Sequence, residues 1–207
     1  MIFDGHSDIF TDVTVRRLKG ETQVLKNHHL PRLRKGNIEG GCFVLWIDPP
    51  YDADPAKRLG ELMHCIKDEM AECEEAVVVK NLKEIEEARK AGKFYILPGL
   101  EGLSGIGTDL DKIDELYDFG CRHAMLSWNE QNDLSTGTKG DPNRGLTELG
   151  KKAAIEAMQN RQAYADELFA AMPQRKKQQL AGLLDSLLHT WDIPINEEEY
   201  QYRNTEE

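Results

Sequence analysis

Short apolar runs that end in polar or chain-breaking residues alternate with amphipathic stretches along most of this chain. The four runs are Ile2 to Phe10, Cys42 to Ile47, Phe94 to Leu97 and His123 to Trp128. A continuous apolar run bounded by breakers is typical of a strand that is buried on both faces of a parallel sheet. Parallel strands need crossover connections, which are usually helical. The pattern therefore predicts an α/β fold with about four parallel strands and right-handed crossovers.

Three helices are predicted between these strands from their start and stop signals. Asp54-Pro55 begins the first helix, Asn81 to Ala91 forms the second, and Asp109 caps a third that ends at Phe119. Aspartate and asparagine are favoured N-cap residues, and proline is favoured in the first turn. The predicted order is strand, loop, strand, helix, helix, strand, helix, strand.

No strand is predicted from Leu146 onward. Thr147 is expected to begin a helix that runs to about Met172, where Pro173 ends it. A second helix follows, in which leucines at helical spacing form one amphipathic stripe, at Leu180, Leu183, Leu184, Leu187 and Leu188. The acidic residues that follow predict a solvated, disordered tail.

The composition excludes several classes of function. The chain has 37 acidic and 26 basic residues and a formal net charge of −11, and it has no dense basic stripe that could bind nucleic acid. No window reaches the roughly 18–20 apolar residues that a membrane span requires. The first residues, Met1 to His6, lack the basic and apolar regions of a signal peptide. We therefore expect a cytoplasmic protein that does not bind nucleic acid and has no membrane span.

The first predicted strand carries an imidazole and a carboxylate two residues apart. Residues i and i+2 of a strand point to the same side, so His6 and Asp8 lie on one face. Histidine and carboxylate are ligands of Zn²⁺ and similar divalent ions. A histidine that simply bonds to a neighbouring aspartate at a strand end is the alternative.

Two further polar motifs follow later strands. Glu101 comes after the third strand between Gly99 and Gly102, and polar side chains from Arg122 to Asn132 surround the end of the fourth. Each is also typical of an ordinary loop. Their shared position at the ends of predicted strands indicates a site more strongly than either motif alone, because barrel enzymes carry their active sites at the C-terminal ends of the strands.

These motifs, in this order, resemble those of the membrane dipeptidase family, peptidase family M19. FDGHSDIF is similar to the family's DGHxD strand, LRKGNIEGGCFVLWIDP to its GGQF segment, and LPGLEG to its glutamate motif. The segment WNEQNDLSTGTKGDPNRGLTELG, from Trp128 to Gly150, resembles the version in bacterial members. The resemblance covers about residues 1–158.

The resemblance implies a (β/α)₈ barrel with two zinc ions and a bridging hydroxide that attacks the peptide bond of a dipeptide. Carried over by motif, His6 and Asp8 bind one zinc, and Glu101 bridges both as a catalytic residue. Trp128 takes the position of a substrate-contacting histidine of some relatives, and with Asn129 it is a candidate for substrate binding.

The chain departs from the family pattern after this point. The family continues with strands that carry D-x-S-H and S-H-S motifs, whose histidines complete the second zinc site, and with an arginine that holds the substrate carboxylate. None of these motifs is present, and His189 is expected to be a helix-surface residue. We therefore expect a partial barrel, followed by helices, with an incomplete binuclear site that holds one zinc or none.

The C-terminal part has a resemblance of its own. Residues 146–191 are similar to the dimerisation helices of MarR-type transcription regulators, in which an LTxxG turn leads into a long helix. We predict a dipeptidase-like half-barrel over 1–145, a helical hairpin over 146–192 and an acidic tail over 193–207. Since four parallel strands cannot close a barrel, two sheet edges stay open and homo-oligomerisation is expected.

Three functions remain possible from the sequence. The leading hypothesis is a zinc metallodipeptidase, shortened relative to its family, that cleaves dipeptides through a metal-activated water. The second is a catalytically inactive homologue that still binds metal. The third is an interaction module that dimerises through its helices.

Overall fold

A computed structural model describes residues 2–155 and 172–190, with the side chains of the latter segment described as far as 184. The chain divides into two compact units, Met1–Ile155 and Glu156–Glu207. Each unit is described by itself.

The first unit alternates strands and helices. Its strands are β1 Ile2–Ser7, β2 Ile38–Trp46, β3 Ala76–Val78, β4 Phe94–Glu101 and β5 His123–Ala124. Its helices are α1 Ile9–Arg17, α2 Leu30–Lys35, α3 Pro55–Glu72, α4 Leu82–Lys90, α5 Lys112–Phe119 and α6 at 148–155. A π-helical turn, Leu25–His29, precedes α2, and 3₁₀ turns lie at Tyr51–Ala53 and Ser104–Ile106.

All five strands form one parallel sheet. β2 lies between β1 and β4, and the other edge of β4 is shared by β3 along its first half and β5 along its second. The four predicted strands are present as β1, β2, β4 and β5. The predicted fold class, an α/β partial barrel of parallel strands, is confirmed. β3 was not predicted, because its three residues are too few to show a pattern.

The ends of three predicted strands were wrong. β1 stops at Ser7, and Ile9 already belongs to α1. β5 has two residues and does not extend to Trp128. β4 was expected to break at Pro98 but continues to Glu101. The carbonyl of Pro98 accepts a hydrogen bond from the Arg122 backbone N–H (3.1 Å). The nitrogen and the carbonyl of one strand residue face the same edge, so the Pro98 nitrogen faces the gap between the end of β3 and the start of β5. Proline therefore interrupts no hydrogen bond between strands at this position.

The predicted helix starts are mostly confirmed. The Asp54 carboxylate accepts from the Lys57 backbone N–H (3.1 Å) at the start of α3, and the Asn81 side chain accepts from that of Glu84 (3.0 Å) at the start of α4. The third helix, α5, begins at Lys112 with Asp111 at its N-cap, so the predicted cap at Asp109 was two residues early. The predicted loop between β1 and β2 was also wrong, because it contains α1, the π-helical turn and α2.

The main core lies between the sheet and the helices that follow β1 and β2. Phe43 of β2 packs edge-on against Phe10 of α1, with ring centroids 5.4 Å apart, and against Phe94 of β4 at 5.7 Å. Leu62 and Ile66 of α3 complete this layer without solvent exposure. Since side chains alternate across a strand, Trp46 and Glu101, paired in register at the ends of β2 and β4, face the opposite side of the sheet.

Gly40 of β2 allows a close approach of Tyr95, whose ring stacks on Phe3. A Cβ at position 40 would fall on that ring. We expect Gly40→Ala to lower the free energy of unfolding by about 1–3 kcal/mol, as overpacking generally does. Gly60, inside α3, has nothing within 4 Å of a Cβ, so Gly60→Ala should raise stability by about 1 kcal/mol. Urea denaturation of both variants measures this difference, and equal shifts would contradict it.

A charged cluster joins α1 to α3. Arg17 donates to Glu69 at 2.8 Å and to Glu72 at 2.9 Å, and the fully buried Glu69 also accepts from the Leu25 backbone N–H at 2.7 Å. Glu69 thus binds α1, the π-helical turn and α3 together.

The hydrogen bond from Arg17 lowers the pKa of Glu72 to about 2. A carboxylate with a lowered pKa stabilises the fold above its unfolded value of 4.5, and this contribution is lost as the pH falls from there towards 2. We therefore expect the stability of Glu72→Gln to fall less steeply than that of the parent protein between pH 5 and pH 3. Glu74→Gln, at a carboxylate without an ion pair among the described residues, should keep the parent slope. Urea denaturation at each pH measures the slopes, and parallel curves for all three proteins would refute the role of Glu72.

Thr147 begins α6 as predicted, because its hydroxyl accepts from the Gly150 backbone N–H at 2.9 Å. The rest of that predicted helix, to Met172, extends beyond the described residues. In the second unit, α7 spans Gln174–Thr190, and Leu183 and Leu184 are exposed on it. The predicted tail lies outside the described residues, and the domain boundaries stay predictions. Among the helices that the structure describes, none is long and apolar enough to cross a bilayer.

Candidate metal centre

Three predicted ligands converge at the C-terminal ends of β1 and β4. His6 Nε2 lies 3.3 Å from Glu101 Oε2 and 3.8 Å from Asp8 Oδ1. One donor atom from each residue lies within 4.8 Å of the other two. The structure therefore brings together the histidine and the two carboxylates that the motifs indicated.

The local fold leaves these donors free to face one another. Asp8 is not in the strand, as the two-residue spacing assumed, but at the N-cap of α1, and its side chain makes no capping hydrogen bond. His6 lies on β1, and Glu101 is the last residue of β4, two strands away across β2. Because parallel strands end at the same edge, residues 95 positions apart in the chain meet there.

The electrostatics of Glu101 suit a cation. Its side chain is 9% exposed, and burial raises its pKa, as do the nearby charges of Asp8 and Glu130, while His6 opposes the rise. No lysine or arginine of the described segments forms an ion pair with it. A metal ion bound beside this buried carboxylate would stabilise its charged form.

The donor set fits a divalent metal of the zinc type. Zn²⁺ commonly binds three protein ligands of histidine and carboxylate character in catalytic sites, with a further position for water. One imidazole nitrogen and two carboxylates make up such a set, and His6 and Asp8 are about half exposed, so the site is open to solvent.

A cavity of about 710 Å³ adjoins Glu101. Trp46 at the end of β2 and Trp128 after β5 form one wall, with ring centroids 5.6 Å apart and planes at 85°. Asn129 also lines the cavity. This volume lies within the range of small-ligand sites. The two predicted substrate-binding residues therefore line the same cavity as Glu101, one of the three predicted metal ligands.

The loop after β5 is held by its own hydrogen bonds. The backbone carbonyls of Trp128 and Asn129 accept from the N–H groups of Thr138 (3.4 Å) and Lys139 (2.8 Å). The Arg144 guanidinium donates to the Asn132 carbonyl at 2.8 Å. These bonds fix the loop that carries Trp128 beside Glu101.

Several lining residues of this cavity were not predicted as site residues. Trp46 is the last residue of β2, Asp52 lies in the 3₁₀ turn that follows, and Glu130 follows the predicted pair at 128 and 129. Active-site residues lie at the C-terminal ends of strands, and this rule, which identified Glu101, applies equally to Trp46 as the last residue of β2. It was the signal in the sequence that could have identified Trp46.

The sequence model of the membrane dipeptidase family, peptidase family M19, matches residues 1–162. The chain belongs to this family. The match confirms the resemblance over residues 1–158 and includes every residue of the metal centre and of the adjoining cavity.

Solved structures with the same fold include one M19 dipeptidase, a further metallopeptidase and a probable dipeptidase. Dipeptidase AC, a metallopeptidase of family M19, is 21% identical with a TM-score of 0.61, and the match covers 75% of this chain and 54% of that one. A metallopeptidase from Rhodobacter sphaeroides, liganded with a phosphinate mimic of the dipeptide L-Ala-D-Ala, is also 21% identical with a TM-score of 0.61, covering 75% and 55%. The probable dipeptidase PvdM from Pseudomonas aeruginosa is 18% identical with a TM-score of 0.54, covering 61% and 36%. The chain of this M19 protein therefore spans about half the length of the first two structures.

Proposed function

We propose that this M19 chain is a zinc metallodipeptidase-type hydrolase that acts on dipeptides. The convergence of His6, Asp8 and Glu101 within 4.8 Å, beside a cavity of about 710 Å³, carries the proposal. Family membership supports it, since M19 is a family of dipeptidases. The dipeptide mimic bound by the Rhodobacter sphaeroides protein supports the substrate class.

The residues of this chain have separate parts in the proposed reaction. His6, Asp8 and Glu101 hold the metal, and Trp128 and Asn129 contact the substrate beside it. A bound zinc lowers the pKa of its water to about 7 and polarises the scissile carbonyl. Of the three metal ligands, Glu101 is the one that also lines the cavity, so it connects the metal to the substrate site.

We further propose that the site of this chain is incomplete and holds one zinc. The three ligands come from β1, the start of α1 and β4, and they form the one cluster of this kind found among the described residues. An inactive homologue that binds metal without hydrolysis is the second candidate. It is favoured by the size of the ligand cluster, because three ligand residues would hold a single metal ion.

Zinc content and hydrolysis together test the proposal. The purified chain is analysed for zinc by elemental analysis and assayed with L-Ala-D-Ala and L-Ala-L-Ala, with and without a chelator. Bound zinc with hydrolysis that the chelator abolishes supports the dipeptidase. One zinc per chain without hydrolysis supports the inactive homologue, and absence of both refutes the proposal. Cytoplasmic location and homo-oligomerisation stay predictions.

A further inference from the structure

We propose that the cavity beside Glu101 selects dipeptides that carry a cationic side chain. This inference rests on the proposed function in one respect, namely that the ligand is a dipeptide. It concerns the part of the cavity wall that is formed by Trp46, Trp128 and the acidic residues around them.

The first observation is the aromatic wall. The Trp46 and Trp128 rings stand perpendicular at 5.6 Å, and Trp128 is 42% exposed, so part of this residue is available to a ligand. Tryptophan has the ring face that attracts cations most strongly. A pair of rings at right angles presents a face and an edge to a group in the corner between them.

The second observation is the charge of the lining. Four carboxylates line the cavity, namely Asp52, Glu101, Glu130 and Asp133, against two cations, Lys139 and Arg144. If Glu101 is assigned to the metal, three carboxylates remain. Within residues 2–155, none of these three forms an ion pair, so they exceed the two cations of the lining by one charge and none of them is paired directly.

The two cations do not cancel this charge equally. Arg144 donates to the backbone carbonyls of Asn132 (2.8 Å) and Ser135 (3.4 Å), so its guanidinium is engaged in holding the loop. Lys139 is exposed and has no ion-pair partner among the described residues. The cavity therefore combines an aromatic wall with an excess of negative charge, which favours an ammonium or guanidinium group.

Ligand pairs that differ only in charge test this inference. The full chain, with Trp191→Phe so that only the cavity tryptophans report, is titrated with Lys-Ala and Ala-Lys and with the norleucine counterparts Nle-Ala and Ala-Nle. Tryptophan fluorescence is followed in zinc-supplemented and in chelator-treated protein. We expect one lysine dipeptide to bind about tenfold more tightly than its norleucine counterpart in both conditions.

Three variants assign the preference to named residues. Trp46→Leu and the conservative Glu130→Gln should each reduce it to less than threefold, whereas Lys139→Met should increase it. Equal binding of both ligands in every pair overturns the inference. A preference that disappears when zinc is added also overturns it, because the metal ligands would then be its source.

The binding measurements test the lysine preference separately from the proposed dipeptidase activity. Loss of zinc binding or of hydrolysis with the lysine preference intact refutes the dipeptidase and leaves the cavity assignment standing. Zinc-dependent hydrolysis of lysine and norleucine dipeptides with equal affinity refutes the cavity assignment alone.

Discussion

Replacing Glu101 by glutamine is expected to lower the affinity of the chain for zinc by at least about 100-fold. Loss of a residue that merely orients a metal ligand costs 10–100-fold in metal affinity, and Glu101 is assigned as a ligand itself. Its side chain is 9% exposed and lies 3.3 Å from His6, so a neutral amide removes charge from the most enclosed part of the site. Competition titration with a zinc indicator measures the change.

Two matched pairs of variants make this result specific. Glu87→Gln alters an exposed carboxylate of α4 that pairs with Lys83, and it should leave zinc affinity unchanged. His6→Ala should reduce affinity, while His64→Ala, at a histidine exposed on α3, should not. Equal zinc affinity in Glu101→Gln and Glu87→Gln would contradict the assigned site.

Glu69→Ala is expected to destabilise the fold by about 3–5 kcal/mol, the usual cost of breaking a buried ion pair. The change removes the acceptor of both the Arg17 guanidinium and the Leu25 backbone N–H, in a position without solvent exposure. For a chain of this size the melting temperature should fall by roughly 10 °C. Differential scanning calorimetry measures this shift.

Glu69→Gln provides the control for volume. Its amide oxygen can still accept from the Leu25 N–H, while the ion pair with Arg17 is lost, so an intermediate loss of stability is expected. A melting temperature of Glu69→Ala within 2 °C of the parent protein would show that Glu69 does not hold α1, the π-helical turn and α3 together.

The proximity of His6 and Glu101 was predictable because it follows from a rule that does not depend on packing detail. His6 and Glu101 follow apolar runs, and parallel strands end at one edge, so these two side chains were expected to meet. Asp8 reached the same place for a different reason than predicted. It lies at the N-cap of α1 and not in β1.

The elements that were missed have weak local patterns. β3 has three residues and depends on its pairing with Phe94 to Ile96 of β4. The break predicted at Pro98 followed local propensity, which was overridden because the neighbouring strands leave a gap at that nitrogen. The contact between Trp46 and Trp128 joins residues 82 positions apart, and no single-strand pattern encodes it.

The central claim is that His6, Asp8 and Glu101 together bind a metal ion, and an anomalous difference map at the zinc edge tests it most directly. Crystals of the full chain grown with zinc should show a strong peak about 2.0–2.2 Å from His6 Nε2 and from carboxylate oxygens of Asp8 and Glu101. A peak held by other residues, or no peak at the triad with zinc in excess, would contradict the claim.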